Sequence, residues 1–269
     1  MHVTKIRLDV LLVDRGLAES RSLAQRLVMA GQVRVNGGIE LRAAARVLPN
    51  VDLEIVQGPR FVSRGGEKLE AALAAFDIGV EGRVCADVGA STGGFTDCLL
   101  QHGASRVYAI DVGHGILDWK LRQDRRVVVM EETNARFIET LAEDVELITI
   151  DVSFISLKII LPAVKNWLSK YSSQNPRGTV IALIKPQFEA GRQQVGRGKG
   201  VIRDPLIHHQ VLAELLDFAL QQGYIVRGLI RSPLRGPKGN VEFLAWLECL
   251  GMQTVSIEEM INSVLPNAD

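Results

Sequence analysis

Four charged side chains have the types needed to move a proton and to hold a polar substrate, two cations and two anions: Lys68, Asp151, Lys185 and Glu242. A lysine can remove a proton from a hydroxyl near neutral pH if its pKa falls well below the free value of about 10.4. A second ammonium group nearby and partial burial both lower the pKa of a lysine. Each residue taken alone is typical of a surface ion pair, but their order at predicted strand ends favours shared chemistry.

A glycine-rich segment, Gly89-Ala90-Ser91-Thr92-Gly93-Gly94, follows a predicted strand, and Asp111 ends the next strand. A glycine turn with an acid about 20 residues further on is typical of a site that holds a ribose-containing cofactor. A dinucleotide fingerprint needs a glycine at the position of Ser91, so a cofactor without pyrophosphate, S-adenosylmethionine, fits better. The alternative is that the glycines only allow a tight turn between strand and helix.

The residues that we expect to bind this cofactor are Asp87, Gly89, Ala90, Ser91, Thr92, Gly93, Gly94, Phe95, Asp111 and Asn134. Asp111 is expected to bind the ribose hydroxyls and the glycine loop the methionine portion. Asp87 is expected to bind the amino group, directly or through water. Methyl transfer from a sulfonium is an in-line displacement, so the acceptor must lie about 3 Å from the methyl carbon. An acceptor ribose hydroxyl must also lose its proton, which the charged residues can accept.

Strand-like and helix-like runs alternate from Val84 onward, and this pattern must position those side chains. The seven strand-like runs are VCADVGA, RVYAIDVG, RVVVME, ELITIDVSF, TVIALIKP, YIVRGLIR and VEFLAWLE. They predict an α/β fold with a Rossmann-like, mainly parallel sheet, whose ligands bind at the carboxyl ends of the strands. Asp151 and Lys185 end two of the runs and Glu242 lies in the seventh. Lys68 precedes Asp87 by 19 residues, at the predicted start of a helix that returns it to the same edge.

Helix boundaries are predicted further along the chain from capping residues. Asp204-Pro205 predicts a helix that runs to about Gln222, and Ser256 with Glu259 predicts a capping box for a C-terminal helix.

The first sixty residues follow a different pattern. Leucines at helical spacing end at Gly16, and Ser20 is expected to cap a second helix. Alternating valines and the turn signal Asn36-Gly37 follow, with further strand candidates at Leu41, at Val47 and over residues 53–56. Gln57-Gly58-Pro59 then marks a boundary. We therefore predict a small α+β domain over 1–60, a larger α/β domain over 61–251 and a C-terminal helix within 252–269.

Charge is distributed unevenly along a chain whose 31 Lys+Arg equal its 31 Asp+Glu. Residues 15–46 hold six arginines and two acids, a net charge of +4. Residues 185–203 hold five basic residues and one acid, also +4, which leaves −8 elsewhere. Basic surfaces of this kind are typical of nucleic-acid binding, although surface arginines also serve solubility. The residues expected to contact RNA are Arg7, Arg15, Arg21, Arg26, Arg34, Arg192, Arg197 and Lys199.

Composition excludes several classes of protein. The 269 residues are 47 % hydrophobic, which is typical of globular domains rather than disordered chains. Three cysteines lie far apart without a CxxC pair, so neither a disulfide framework nor a zinc site is predicted. We find no apolar signal-peptide core and no run of 18 apolar residues, and we expect a cytoplasmic protein without membrane partners.

The segment RLDVLLVDRGLAESRSLAQRLVMAGQVRVNG resembles the S4 RNA-binding domain. In that domain two helices and a turn-containing strand present arginines to folded RNA. The resemblance covers nearly all of the first sixty residues and implies contacts with RNA backbone and shape more than with base edges.

Nearly the whole chain resembles the TlyA/hemolysin A family of FtsJ-type RNA ribose 2′-O-methyltransferases. The segments that carry the resemblance are VSRGGEKL, DVGASTGGFTDCLL, DVGHGILDWKLR, TNAR, IDVSFISL, LIKPQFE, GVIRDP and GNVEFL. The resemblance implies S-adenosylmethionine-dependent methylation of ribosomal RNA, on cytidine. It also implies a catalytic set of Lys68, Asp151, Lys185 and Glu242, in which Lys185 removes the proton. His114 departs from the family pattern, where tyrosine is frequent.

Two alternatives remain open at this point. The chain could be a catalytically silent RNA-binding protein, or a membrane-active hemolysin as the family name suggests. The sequence predicts neither the target nucleotide nor the oligomeric state.

Overall fold

The computed structural model describes residues 4–56, 58–168, 178–191 and 200–265. The chain divides into two compact units, Met1–Arg60 and Phe61–Asp269. No helix in these described ranges is long and apolar enough to cross a membrane.

The first unit combines two helices with short strands. Its elements are β1 (Ile6–Arg7), α1 (Leu8–Asp14), α2 (Arg21–Met29), β2 (Val33–Val35), β3 (Gly38–Ile39), β4 (Arg46–Val47) and β5 (Leu53–Ile55). Strands β3, β2 and β5 form an antiparallel sheet, and β1 pairs with β4. As predicted, Ser20 caps α2, since its Oγ accepts a hydrogen bond from the Leu23 amide at 3.2 Å. Leu41 was expected in a strand, but it lies outside these strands and is exposed.

The second unit begins with a helix and then alternates strands with helices. Its elements are α3 (Gly65–Phe76), β6 (Val84–Val88), α4 (Gly94–Gln101), β7 (Arg106–Ile110), α5 (Trp119–Arg122), β8 (Val127–Met130), β9 (Leu147–Ile150), α6 (Leu157–Val164), β10 (Thr179–Ile184), α7 (Pro186–Glu189), α8 (Pro205–Gln221), β11 (Ile225–Arg231), β12 (Phe243–Glu248) and α9 (Ile257–Val264). Two short 3-10 helices lie at Ala135–Phe137 and Lys165–Trp167.

The seven strands of this unit form one sheet in the order β11-β12-β10-β9-β6-β7-β8. Strands β6 to β10 are parallel, whereas β12 runs antiparallel to both β10 and β11. The order reverses between β6 and β9, which is where sheets of this type bind ligands. The predicted Rossmann-like α/β fold is therefore confirmed.

Helices cover both faces of the sheet. Every residue of β9 and β10 is buried, as expected for central parallel strands. Ile148 and Val180 pack with α6 and α8 on one face, while Leu147 and Ile181 pack with α3 and α4 on the other. The sheet edge carrying the strand ends thus stays free for ligands.

The predicted position of Glu242 within a strand is wrong by one residue, because β12 begins at Phe243. Since β12 is antiparallel, its beginning lies beside the carboxyl ends of its parallel neighbours. Glu242 therefore lies at the expected end of the sheet, but because β12 is antiparallel, which the sequence did not predict.

The two predicted helix starts have different outcomes. Asp204 caps α8 by accepting a hydrogen bond from the Leu206 amide at 2.9 Å, and Pro205 occupies the first turn. Helix α9 does begin after Ser256, but the Ser256 side chain makes no capping hydrogen bond. The predicted capping box is therefore not formed.

Candidate functional site

A buried ion pair joins Lys68 to Glu242 at the carboxyl edge of the sheet. The Lys68 Nζ lies 2.5 Å from the Glu242 Oε2. Lys68 stands in the first turn of α3, and the side chains of Lys68 and Glu242 are only 11 % and 1 % exposed. Two opposite charges at this distance neutralise each other where water is largely excluded.

A second ion pair joins Lys185 to Asp151, whose Oδ1 lies 2.6 Å from the Lys185 Nζ. The two residues follow β10 and β9, which are adjacent parallel strands, so their side chains emerge side by side. The Lys185 Nζ also donates to the Ser153 Oγ at 2.9 Å. Sequence reasoning missed Ser153, although a hydroxyl residue two positions after a strand-end aspartate is a usable signal.

One residue from each ion pair lines the same cavity. Lys68 and Asp151 line a cavity of about 210 Å³ together with the glycine loop. Glu242 and Lys185 do not line it, and each is joined to it through its ion-pair partner. Arg64 and Arg235 also line this cavity and were not predicted.

The glycine loop approaches Asp151 closely because Gly89 has no side chain. Gly89 has φ +84°, and a Cβ on it would lie 2.6 Å from the Asp151 carbonyl oxygen. Ser91 also has a positive φ, and its amide donates to the Asp111 Oδ2 at 2.8 Å. The Asp111 Oδ1 accepts from the Gly113 amide at 2.8 Å. Asp111 thus fixes the loops after β6 and β7.

A larger cavity of about 370 Å³ lies next to the first one. Asp111, Asn134 and the loop after β9 line it, and it shares Gly89, Ser91 and Asp151 with the smaller cavity. A ligand in the larger cavity would therefore reach the two ion pairs past Gly89. The arrangement can hold two reactants on either side of one loop.

The predicted cofactor residues are divided between these cavities. Those that line at least one of them are Gly89, Ala90, Ser91, Thr92, Gly94, Phe95, Asp111 and Asn134. Gly93 lines neither and packs against Leu117 and Leu121. Helix α4 approaches α3 closely, since a Cβ on Gly94 would lie 2.9 Å from the Gly66 amide nitrogen.

Asp87 also lines neither cavity, because its side chain is fully buried beneath the loop. Its carboxyl accepts hydrogen bonds from the Thr96 Oγ1 at 2.7 Å and the Thr149 Oγ1 at 3.1 Å. Burial raises the pKa of Asp87 to about 7, against the lowering effect of these two hydroxyls. Asp87 links β6 to α4 and β9 and so supports the loop from below.

Glu131 shapes the wall of the larger cavity and was not predicted. It accepts hydrogen bonds from the amides of Gly115, Ile116 and Leu117 at 2.8–3.1 Å and pairs with Arg122. The Arg122 hydrogen bond, followed by these amides, lowers the pKa of Glu131 to about 2. The available signal was an acid that directly follows β8 at the ligand edge of the sheet.

In the first unit, two of the predicted RNA-contacting arginines are fixed by one buried carboxylate. Asp9 is fully buried and accepts from Arg7 at 2.9 Å, Arg21 at 3.0 Å and Gln25 at 2.8 Å. These partners, Arg7 first, hold the pKa of Asp9 well below its usual range.

The other predicted RNA-contacting residues are placed differently. The Arg15 guanidinium donates to the carbonyls of Val51 and Pro49, while Arg26 and Arg34 are exposed. The predicted residues Arg192, Arg197 and Lys199 lie outside the described residues. His114, the departure from the family pattern, is exposed next to Glu132.

Within the four described ranges, no cluster of three or more histidine, cysteine or acidic side chains could hold a metal ion.

Comparisons with known proteins connect both units to characterised families. Residues 61–249 match the FtsJ-like methyltransferase model, and residues 6–53 match the S4 domain. A Bacillus subtilis protein provisionally named as the rRNA methyltransferase YqxC is 49 % identical over 256 residues, covering 93 % of this chain and 88 % of its own.

Two further relatives cover almost the full length. The 16S/23S rRNA (cytidine-2′-O)-methyltransferase TlyA of Mycobacterium tuberculosis is 43 % identical over 264 residues, covering 97 % of this chain and 96 % of its own. A solved structure from Streptococcus thermophilus, provisionally described as a hemolysin, is 44 % identical with a TM-score of 0.70 and covers 97 % of this chain and 96 % of its own.

Proposed function

Because the chain belongs to the FtsJ-like methyltransferase family and carries an S4 domain, we propose that it methylates a ribose 2′-hydroxyl of ribosomal RNA, on cytidine. The observation that carries this proposal is that Lys68 and Asp151, which form ion pairs with Glu242 and Lys185 respectively, line one cavity beside the glycine loop. The name of the TlyA relative, an rRNA (cytidine-2′-O)-methyltransferase, supports the choice of substrate.

The larger cavity fits S-adenosylmethionine as the methyl donor. Bound there, the cofactor would supply a methyl group on a positively charged sulfur. Asp111 lines this cavity, where its carboxylate can accept hydrogen bonds from ribose hydroxyls, and Gly89 allows the glycine loop to approach the Asp151 backbone at the cavity wall. The carboxylate of Asp151 lies where the two cavities meet, next to the region where methyl transfer must occur.

The smaller cavity fits the acceptor ribose. We assign proton removal to Lys185, whose neutral amine would accept the proton of the 2′-hydroxyl. The resulting ammonium would be held by Asp151 and Ser153, whose Oδ1 and Oγ lie 2.6 and 2.9 Å from the Lys185 Nζ. Lys68, fixed by Glu242, donates hydrogen bonds from its ammonium and can orient the ribose.

The first unit would bind RNA through its arginines. Arg26 and Arg34 are exposed and can approach phosphates, while Asp9 pre-orients the guanidinium groups of Arg7 and Arg21. We propose ribosomal RNA or a ribosomal subunit as the partner, which would place the protein in the cytoplasm.

The two alternative functions have less support. A silent RNA-binding protein would not need two ion pairs at a cofactor loop, since removing even paired charges from water costs free energy. One relative is described as a hemolysin. In the described part of this chain, no helix is long and apolar enough to cross a membrane.

The proposal is tested by incubating purified protein with ribosomal subunits and methyl-labelled S-adenosylmethionine, followed by complete digestion of the RNA to nucleosides. We expect label in 2′-O-methylcytidine. Label confined to bases, or none in RNA from either subunit, would contradict the proposed activity.

A further inference from the structure

A second charged cavity shares the side chain of Arg235 with the catalytic cavity. It has a volume of about 350 Å³ and is lined by basic side chains, a buried histidine and apolar residues. We call it the basic pocket and define it by Arg203, His208, Arg231, Arg235, Lys238 and Phe243.

The four cations of the basic pocket have no carboxylate partner among the described residues, in contrast to the paired lysines of the catalytic cavity. Arg203, Arg231, Arg235 and Lys238 are all exposed. The nearby carboxylate of Asp204 instead caps α8. Four like charges around one cavity repel each other, and an anion bound between them would remove that repulsion.

The backbone segments that carry the basic pocket are joined by hydrogen bonds of a buried asparagine. Asn240 is 3 % exposed; its Nδ2 donates to the Gly200 carbonyl and its Oδ1 accepts from the Ile202 amide, both at 2.9 Å. These bonds join the segment before α8 to the turn before β12, where the Gly236 amide donates to the Asn240 carbonyl. Both segments contribute cations to the pocket lining, Arg203 from the first and Arg235 and Lys238 from the second, so the Asn240 bonds fix the backbone that carries them.

His208 adds a polar group that lacks a partner. It is 5 % exposed and stands edge-on to Phe243, and its buried Nε2 has no hydrogen-bond partner in the described part of the chain. Burial first, and then the positive charge of Arg231, lower the pKa of His208. An anion in the pocket would counter the effect of Arg231 and favour a donating Nε2.

Arg235 links the basic pocket to the cavity in which methyl transfer is proposed. It lines both the basic pocket and the cavity that contains Lys68 and Asp151. An RNA strand whose ribose enters the catalytic cavity carries a phosphate on each side of that ribose. The basic pocket is therefore adjacent to the place where one of these phosphates must lie.

We propose that the basic pocket binds a backbone phosphate of the RNA strand next to the nucleotide whose ribose is methylated. This inference rests on the proposed function and adds a positioning site to it. The pocket holds the strand in register, so that the 2′-hydroxyl rather than a neighbouring group reaches Lys185. Arg231 and Lys238 supply charge from β11 and the following turn, outside both catalytic ion pairs.

The test variant is Arg231→Gln with Lys238→Gln, which leaves the catalytic cavity residues untouched. The matched control is Lys158→Gln with Arg125→Gln, which removes the same charge from α6 and from the segment before β8. We expect the test variant to raise KM for RNA about tenfold and to lower the slope of log affinity against log salt by about 1. The control should resemble the unchanged protein, as should cofactor affinity in both variants.

A neutral methylphosphonate placed in the RNA identifies the phosphate directly. At one of the two linkages that flank the methylated nucleotide, the methylphosphonate should lower the RNA affinity of the unchanged protein as much as the double substitution does. It should not lower the RNA affinity of the double variant further, because the same contact is already absent. If the methylphosphonate lowers the RNA affinity of the double variant as much as that of the unchanged protein at both linkages, the proposal is contradicted.

Titration with inorganic phosphate separates a strand phosphate from a free anion. If the double variant loses binding of inorganic phosphate but keeps its KM for RNA, the pocket is a site for a small anion and the proposal is overturned. If the unchanged protein methylates no RNA, the proposed function fails, and direct RNA-binding measurements still decide whether the pocket holds a strand phosphate. An unchanged salt slope and unchanged RNA affinity in the variant would reject the pocket while leaving the methyltransferase intact.

Discussion

Lys68 and Glu242 are separated by 174 positions in the chain, yet their Nζ and Oε2 atoms lie 2.5 Å apart in a buried ion pair. Lys68 lies in the first turn of α3 and lines the catalytic cavity, and Glu242 precedes the antiparallel strand β12, so their contact joins α3 to the sheet beside that cavity. The pair therefore links the stability of the second unit to the geometry of its site.

Breaking this pair should destabilise the protein. Glu242→Gln leaves the buried Lys68 ammonium without a counter-charge, and we expect a loss of about 3 kcal/mol or more in the free energy of unfolding, measured by urea titration. Replacing both partners, as Lys68→Met with Glu242→Leu, should recover part of that loss while methyl transfer stays absent. Glu214→Gln, which breaks the more exposed pair with Lys158, should cost less than about 1 kcal/mol. Equal losses for Glu242→Gln and Glu214→Gln would contradict the role of burial.

Lys185→Ala should abolish methyl transfer without loss of cofactor binding. The amine that accepts the ribose proton is removed, while the residues around the larger cavity remain, so we expect the rate to fall by about 100-fold to 10,000-fold. Calorimetry with S-adenosylmethionine and single-turnover assays measure the two properties separately. Lys158→Ala is the matched lysine control. Normal turnover by Lys185→Ala would remove Lys185 from this role.

Gly89→Ala should prevent cofactor binding. The new Cβ would lie 2.6 Å from the Asp151 carbonyl oxygen, and alanine is also strained at φ +84°. We expect S-adenosylmethionine affinity to fall at least about tenfold, since the glycine loop must move away from Asp151. Gly82→Ala is the control, because Gly82 has φ +74° but its Cβ would meet open space. If the two variants bind the cofactor equally well, the close approach has no importance.

Asp87 should make stability depend on pH. Its pKa is about 7 in the folded protein against an ordinary 3.8, so the folded state binds more protons than the unfolded state between these values. Stability contributed by Asp87 is therefore highest below about pH 4 and declines as the pH rises towards 7. The variant Asp87→Asn should remove this decline, measured as the difference in unfolding free energy between urea titrations at pH 5 and pH 8. The asparagine side chain can still accept hydrogen bonds from the hydroxyls of Thr96 and Thr149. An unchanged difference between the two pH values would contradict the assignment.

Local sequence patterns were sufficient to predict the sheet and the strand-end residues. Asp151 and Lys185 each follow a strongly apolar run, and adjacent parallel strands bring such residues together whatever the loops do. The glycine spacing likewise predicted a loop at the ligand site, and most of its residues line one or both cavities.

Features that depend on tertiary packing could not be predicted in this way. The strand that follows Glu242 is antiparallel because of its pairing with β10 and β11, and nothing in its own residues specifies that direction. The buried contacts of Asp9 were not predicted, because Arg21, one of the arginines that neutralise it, lies on another helix. Asp87 was expected at the cofactor, but the hydroxyls of Thr96 and Thr149 bind its carboxyl beneath the loop.

The most direct test of the central claim is a map of 2′-O-methyl groups in ribosomal RNA from cells with the unchanged protein, with no protein, and with Lys185→Ala. We predict at least one methylated cytidine that is present with the unchanged protein and absent in the other two cells. Identical maps in all three would contradict the assignment of the two ion pairs to ribose methylation.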